Sequence, residues 1–350
     1  MRAPKGLGRP VLKRIAALLV LLALATAGGA WWFRERLTSP YRGFRDAEVF
    51  VDLPPGTSVA AIGSRLAAAG VVPDAVTFRV AARLAGAERR LQAGEYRFVD
   101  PATPFDIVGR LAQGDVFTRA VTFPEGLTIR EMASVFERSG LGAAMAFERA
   151  AATSVLARAF DPEADTLEGY LFPNTYSLAR RIDPNGLVEM MVAGFVRAFD
   201  GDLQAKARTL GLSLREAVTL ASLVEKETAQ AAERPLIAAV YRNRLRRRMP
   251  LQCDPTVIYA LMRAGRWNGN LTRADLQFNS PYNTYRYPGL PPGPIASPGR
   301  ASLEAAVSPA DVPYLYFVSR NDGTHVFATT LAEHSRNVAN WQVRYFKNKR

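Results

Sequence analysis

The chain has 350 residues, 48% of them hydrophobic and 22% charged, with a formal net charge of +13. It is long enough for two domains with cores of their own, and its hydrophobic content excludes a largely disordered chain. Two histidines, His325 and His334, and one cysteine, Cys253, exclude a disulfide within the chain and argue against zinc on His and Cys ligands, so metal-dependent chemistry would have to rest on carboxylates; no metal site and no cofactor are expected.

Residues 1–14 carry Arg2, Lys5, Arg9, Lys13 and Arg14, and residues 15–33 form a 19-residue run without a charge. As a helix this run is about 28 Å long, against a hydrocarbon core of roughly 30 Å. The Lys and Arg excess ahead of it predicts a cytoplasmic tail (1–14), a single transmembrane helix (15–33) and an extracytoplasmic body. Trp31 and Trp32 suit the outer interface. The competing reading is a cleavable signal peptide ending near Ala25-Thr26-Ala27, against which the apolar run continues through the tryptophans. Residues 1–36 hold seven basic side chains and one acidic one, so about half of the net charge belongs to the anchor and not to a nucleic-acid surface.

A polar linker, 34–45, is expected next. Beyond it a small pattern recurs: a turn before an amphipathic helix at Gly56-Thr57-Ser58, Thr103-Pro104 and Gly126-Leu127-Thr128, with strand-like runs at 49–53, 94–99 and 119–123. Short strands alternating with helices predict a small α+β module over 46–121. Its first unit resembles LysM-like glycan-binding modules. An α+β packing domain without a ligand is the alternative.

The larger α+β domain is expected over 122–350. Within it, Thr166-Leu167-Glu168-Gly169-Tyr170-Leu171-Phe172-Pro173-Asn174 sets aromatics around Glu168 and reads as a shaped loop or strand end. Ser213 and Glu216 form a capping box that opens a helix running to Thr228. At roughly 100° per residue, Arg215, Thr219, Ser222 and Lys226 fall on a narrow polar strip, and Glu225 and Glu227 fall off it on two different apolar sectors. A carboxyl in such surroundings stays protonated near neutral pH and can donate to a leaving oxygen. A buried ion pair with a nearby arginine explains the same pattern, and helix geometry does not choose between the two glutamates.

The cluster Arg242, Arg244, Arg246, Arg247 and Arg248 is expected on a solvated helix starting near Pro235. Asp254 precedes an apolar helix and reads as an N-cap. The stretch from Ser280 through Gly299 is too rich in Pro and Gly for helix or central strand and is expected as a rigid irregular loop presenting Tyr and Asn to a sugar. Near the end, Asn321-Asp322-Gly323 between two apolar runs predicts a β-hairpin carrying His325, and Thr330 with Glu333 opens a last helix containing His334, Trp341 and Phe346. A lone histidine on such a strand is more often structural than catalytic.

Together these segments resemble the endolytic murein transglycosylases, the MltG or YceG-like proteins. The resemblance rests on Val224-Glu225-Lys226-Glu227-Thr228, Leu251-Gln252 with Asp254-Pro255-Thr256-Val257-Ile258-Tyr259, Tyr282-Asn283-Thr284-Tyr285, Gly289-Leu290-Pro291-Pro292-Gly293, and Tyr314-Leu315-Tyr316-Phe317-Val318 with His325 and Phe327. It implies that Glu227 is the catalytic acid. Ser222, Gln252, Asp254, Thr256, Tyr282, Asn283 and Thr284 are expected to hold substrate, with Glu168, Glu225 and His325 as assisting or structural residues. The implied reaction cleaves the bond between N-acetylmuramic acid and N-acetylglucosamine within nascent strands and leaves 1,6-anhydro ends. Peptidoglycan is then the substrate and penicillin-binding proteins are the implied partners. A hydrolytic muramidase using a second carboxylate, and a non-catalytic cell-wall scaffold, are the alternatives. Two positions depart from the family pattern: Asn174 stands where an acid is usual, and Cys253 where a small hydroxyl residue is usual. The second is expected to change little beyond size and polarity.

Overall fold

The computed structural model describes residues 9–153, 155–180 and 182–344. Most of the expected tail, 1–14, and Phe346 lie outside them. The chain divides into two compact units, 1–119 and 120–350, the division falling within the first strand of the second unit.

The first unit begins with α1 (Arg9–Thr38), whose Ala17–Thr38 portion is long and apolar enough to cross a membrane. Leu18 through Leu22, Leu24, Trp31 and Trp32 are all exposed, as a lipid-facing helix requires. The helix runs through residues 34–38 of the expected linker because its last turns have packing partners. Leu37 is buried in the first unit's core, and Arg36 pairs with Asp74 at 2.6 Å. Strands β1 (Val49–Leu53) and β2 (Gly94–Phe98) pair antiparallel, Val49 opposite Phe98 and Leu53 opposite Gly94. Between and after them come α2 (Val59–Ala68), α3 (Ala75–Leu84) and α4 (Pro104–Gln113). Ser58, Asp74 and Thr103 cap these three helices, and Leu66, Phe78, Tyr96 and Leu111 fill the core beneath them. The mixed helix and strand content is that of an α+β protein.

The second unit opens with β3 (Arg119–Phe123), which pairs with β4 (Asn174–Leu178) and not with the strands of the first unit. The third copy of the repeated pattern therefore serves a different core. Helices α5 (Ile129–Arg138), α6 (Ala144–Ala151), α7 (Pro184–Ala198) and α8 (Gly201–Thr209) surround this ribbon and lead to α9 (Leu214–Glu227). The capping box of Ser213 and Glu216 forms as expected. Residues 217–224 are buried without a break, so Thr219 and Ser222 do not face solvent and only the two ends of the expected polar strip do. The reason is packing on every side, by α8, α10 (Arg234–Arg246), α11 (Asp254–Arg263) and α12 (Arg300–Val307). A hairpin of β5 (Tyr316–Ser319) and β6 (His325–Ala328), then α13 (Leu331–Val338), completes the unit.

Between α11 and α12 the chain is irregular apart from a short 3-10 turn, Asp275–Gln277. Ser222 pins this loop: its hydroxyl donates to Thr219 O at 2.7 Å and accepts from Ile295 N at 3.1 Å. Gly169 is required where the Glu168 turn meets the same loop. Its φ is +84°, and a Cβ there would stand 2.3 Å from Pro294 Cβ.

Candidate active site

Glu227 is the last residue of α9 and lines a cleft of about 350 Å³ with Arg244, Gln252, Asp254, Tyr285 and His325. Its Oε1 accepts the Tyr241 hydroxyl at 2.6 Å, and the Cys253 thiol also bonds the carboxyl. Burial raises its pKa; the bonds from Tyr241 and Cys253 and the nearby His325 oppose this, the negative charge of Asp254 adds to it, and the net direction is up. The helix adds to this, because a carboxylate at a helix C-terminus faces the negative end of the dipole. Burial likewise pushes the Tyr241 hydroxyl and the Cys253 thiol well above their ordinary ranges, so both stay neutral donors. The position where the family pattern has a small hydroxyl residue thus lies against the Glu227 carboxyl.

Glu225, two residues earlier, is absent from this cleft. Its side chain is 7% exposed, its Oε2 accepts the Gly299 amide at 3.0 Å, and its Oε1 lies 3.8 Å from Arg234. It thereby ties α9 to the starts of α10 and α12.

The expected substrate-holding residues separate into two groups. Gln252 and Asp254 line the cleft with their side chains exposed. Gln252 has φ +50°, a rarely populated conformation for a residue with a side chain, held here by its amide donating to Thr284 O at 3.2 Å. Asp254 is the first residue of α11, with Cys253 in the cap position, and its Oδ1 accepts the Tyr285 hydroxyl instead of capping the helix. Ser222, Thr256, Asn283 and Thr284, by contrast, are buried. Thr284 Oγ1 accepts the Cys253 amide at 3.0 Å and lies 2.9 Å from Thr256 Oγ1, and Asn283 Nδ2 donates to Leu276 O and Phe278 O. These four shape the loops behind the cleft and do not face into it.

Tyr282 and Glu168 belong to a separate cavity, with Arg263 and the ion pair of Arg215 with Asp161. Tyr282 lies against Tyr259 at a ring separation of 5.0 Å, under the Arg263 guanidinium. Glu168 accepts Ile129 N at 3.1 Å and the Tyr259 hydroxyl at 3.3 Å. Burial outweighs these bonds and pushes its pKa up to about 7. Asn174 is exposed, and among the described residues its side chain bonds only the next amide.

Residues 51–340 match the YceG-like family. The chain belongs to the YceG-like family. An endolytic murein transglycosylase of Bacillus subtilis is 32% identical over 336 residues, 88% of this chain and 89% of that protein. Another, of Streptococcus pneumoniae strain D39, is 31% identical over 362 residues; the match covers 93% of this chain but 64% of the longer pneumococcal protein. The crystal structure of a yceG-like protein from Listeria monocytogenes aligns with a TM-score of 0.57 at 30% identity, covering 84% of this chain and all of that one.

Four residues of this YceG-like site carried no functional expectation from sequence. Tyr241 and Glu233 sit on or beside a helix whose sequence stands out only for its arginines. Arg244, expected in solvent, is buried and donates to Leu315 O at 2.7 Å and Leu251 O at 2.8 Å, because it joins the β5 hairpin to the loop before α11. Tyr285 stood in a motif without a role of its own. The signal that was available is spacing: Tyr241 lies 14 residues after Glu227 across a helix break, close enough for the second helix to fold back on the first.

Proposed function

We propose that this chain is a membrane-anchored lytic endotransglycosylase that cuts peptidoglycan between N-acetylmuramic acid and N-acetylglucosamine, with Glu227 as the acid. The observation that carries this reading is a carboxyl whose pKa burial raises, lining an open cleft, in a family shared with proteins named endolytic murein transglycosylases. Hydrolytic glycosidases commonly use two carboxylates about a water-sized gap. Here the C6 hydroxyl of the muramoyl residue attacks its own anomeric carbon, and the tether removes much of the entropic cost of bringing in a nucleophile. Glu227 gives its proton to the leaving oxygen, and a base in the cleft receives the C6 proton; Glu227 itself, ionised after donation, is one such base. Gln252 and Asp254 position the sugar. The apolar α1 supports an N-terminal anchor with the body outside the membrane, where nascent strands are within reach and strand termination beside penicillin-binding proteins becomes the biological role. The first unit, with its short strands and helices, is read as a LysM-like module holding glycan.

Mass spectrometry of purified glycan strands tests this. Wild type is expected to give products with anhydro ends, one water lighter than reducing ends, and Glu227→Gln to lose roughly 10²- to 10⁴-fold in rate. Reducing ends alone would reassign the enzyme as a muramidase, and an unimpaired Glu227→Gln would leave the acid elsewhere.

A further inference from the structure

His325 shares the cleft with Glu227, and its imidazole is held on more sides than a hairpin needs. Its Nδ1 lies 2.7 Å from Glu233 Oε2, its backbone amide donates to Glu233 Oε1 at 2.8 Å, and the Phe317 ring packs edge-on at 5.4 Å. Thr228, directly after the acid, donates to Glu233 Oε2 at 3.2 Å, so one carboxylate connects the end of α9 to the imidazole. Burial pushes the Glu233 carboxyl up, but the bonds and charge of His325 outweigh that and hold it below the ordinary range. An ionised Glu233 only accepts, so Nδ1 carries the hydrogen between them, and in the tautomer this selects Nε2 keeps its lone pair. No described residue bonds to Nε2. The Glu227 carboxyl, in contrast, already receives Tyr241 and Cys253.

Resting on the transglycosylase reading, we propose that His325, oriented by Glu233, is the base that takes the proton of the attacking C6 hydroxyl. The C6 oxygen bonds to C1 as the C1–O bond to the leaving sugar breaks. The Glu227 proton goes to the leaving oxygen and the C6 proton to His325 Nε2. Transfer of that proton through water to the Glu227 carboxylate restores both groups. Glu233 stands beside the ring, and the charged and titratable groups that line the cleft with it are Glu227 of α9, Arg244 of α10, Asp254 of α11, Tyr285 and His334 of α13.

The test is the pH profile of anhydro-product formation by the full chain in detergent. His325→Gln is expected to lower kcat about 100-fold with KM little changed and to abolish the acid limb of the profile. Free imidazole is expected to restore part of the rate to His325→Ala, and Glu233→Gln, which frees the tautomer, to lose about tenfold. A folded His325→Gln that keeps the acid limb overturns the proposal, as does a rate loss in His325→Ala that imidazole leaves untouched; the ring then only braces the hairpin. The ends that wild type leaves in the same assay separate this from failure of the transglycosylase reading itself: anhydro ends keep that reading, and reducing ends alone remove it.

Discussion

Tyr241 donates to Glu227 Oε1 across 2.6 Å, and because a donor favours the charged form of a carboxyl, this bond works against the burial that raises its pKa. Tyr241→Phe removes that opposition. The pKa of Glu227 then rises further, and the basic limb of kcat/KM, set by loss of the acid's proton, is expected to move to higher pH. Loss of orientation should lower kcat about tenfold, the equivalent of one hydrogen bond of roughly 1.4 kcal/mol. A basic limb that stays in place or moves down would show that the bond does not tune the acid. Glu225 is the contrasting case: the same side chain two residues away meets an amide and an arginine and becomes a brace between helices.

At the scale of the element, α9 is a helix buried through its middle with three of its polar side chains committed to its neighbours, while the buried Thr219 hydroxyl has no partner among the described residues. Arg215 holds Asp161 at one end and Lys226 donates to Gly126 O at the other, while Ser222 in the middle fastens the Pro- and Gly-rich loop. Ser222→Ala leaves the Ile295 amide without a partner in a dry site, which costs about 1–3 kcal/mol. In urea denaturation the midpoint should fall by that free energy divided by the slope, with the slope unchanged; an unaltered midpoint would mean that the loop is held by its prolines alone. This element also marks how far sequence reading reaches. The start of α9, the strands β1 and β3 and the Asn321-Gly323 hairpin were legible, since caps, alternation and turn residues act over a few positions. The burial of Thr219 and Ser222 was not, because periodicity describes one helix while four neighbouring helices decide which of its faces stay wet.

For the whole molecule, buried carboxyls set how stability follows pH. Glu168 titrates at about 7 in the fold against an ordinary 4.5. A raised folded pKa stabilises fully below the unfolded value, and that stabilisation is lost as pH rises through the folded value, here between about 4.5 and about 7. The loss is roughly 3 kcal/mol. Thermal melts should therefore show Tm falling over this window, and Glu168→Gln should flatten the fall without abolishing it, since Glu227 is raised in the same direction. A variant with the wild-type slope would place the titration in other groups. The sequence by itself determined the apolar N-terminal helix, the alternation of short strands and helices, and two glutamates set off a helix's polar strip, because each is a property of neighbours along the chain. Only the tertiary structure decided that Glu227 opens to a cleft while Glu225 is locked to Arg234, that Tyr282 and Glu168 share a different cavity, and that Glu233 and His325, 92 residues apart, form one pair. Those outcomes depend on which helix ends and loops meet in space, and no local pattern encodes that.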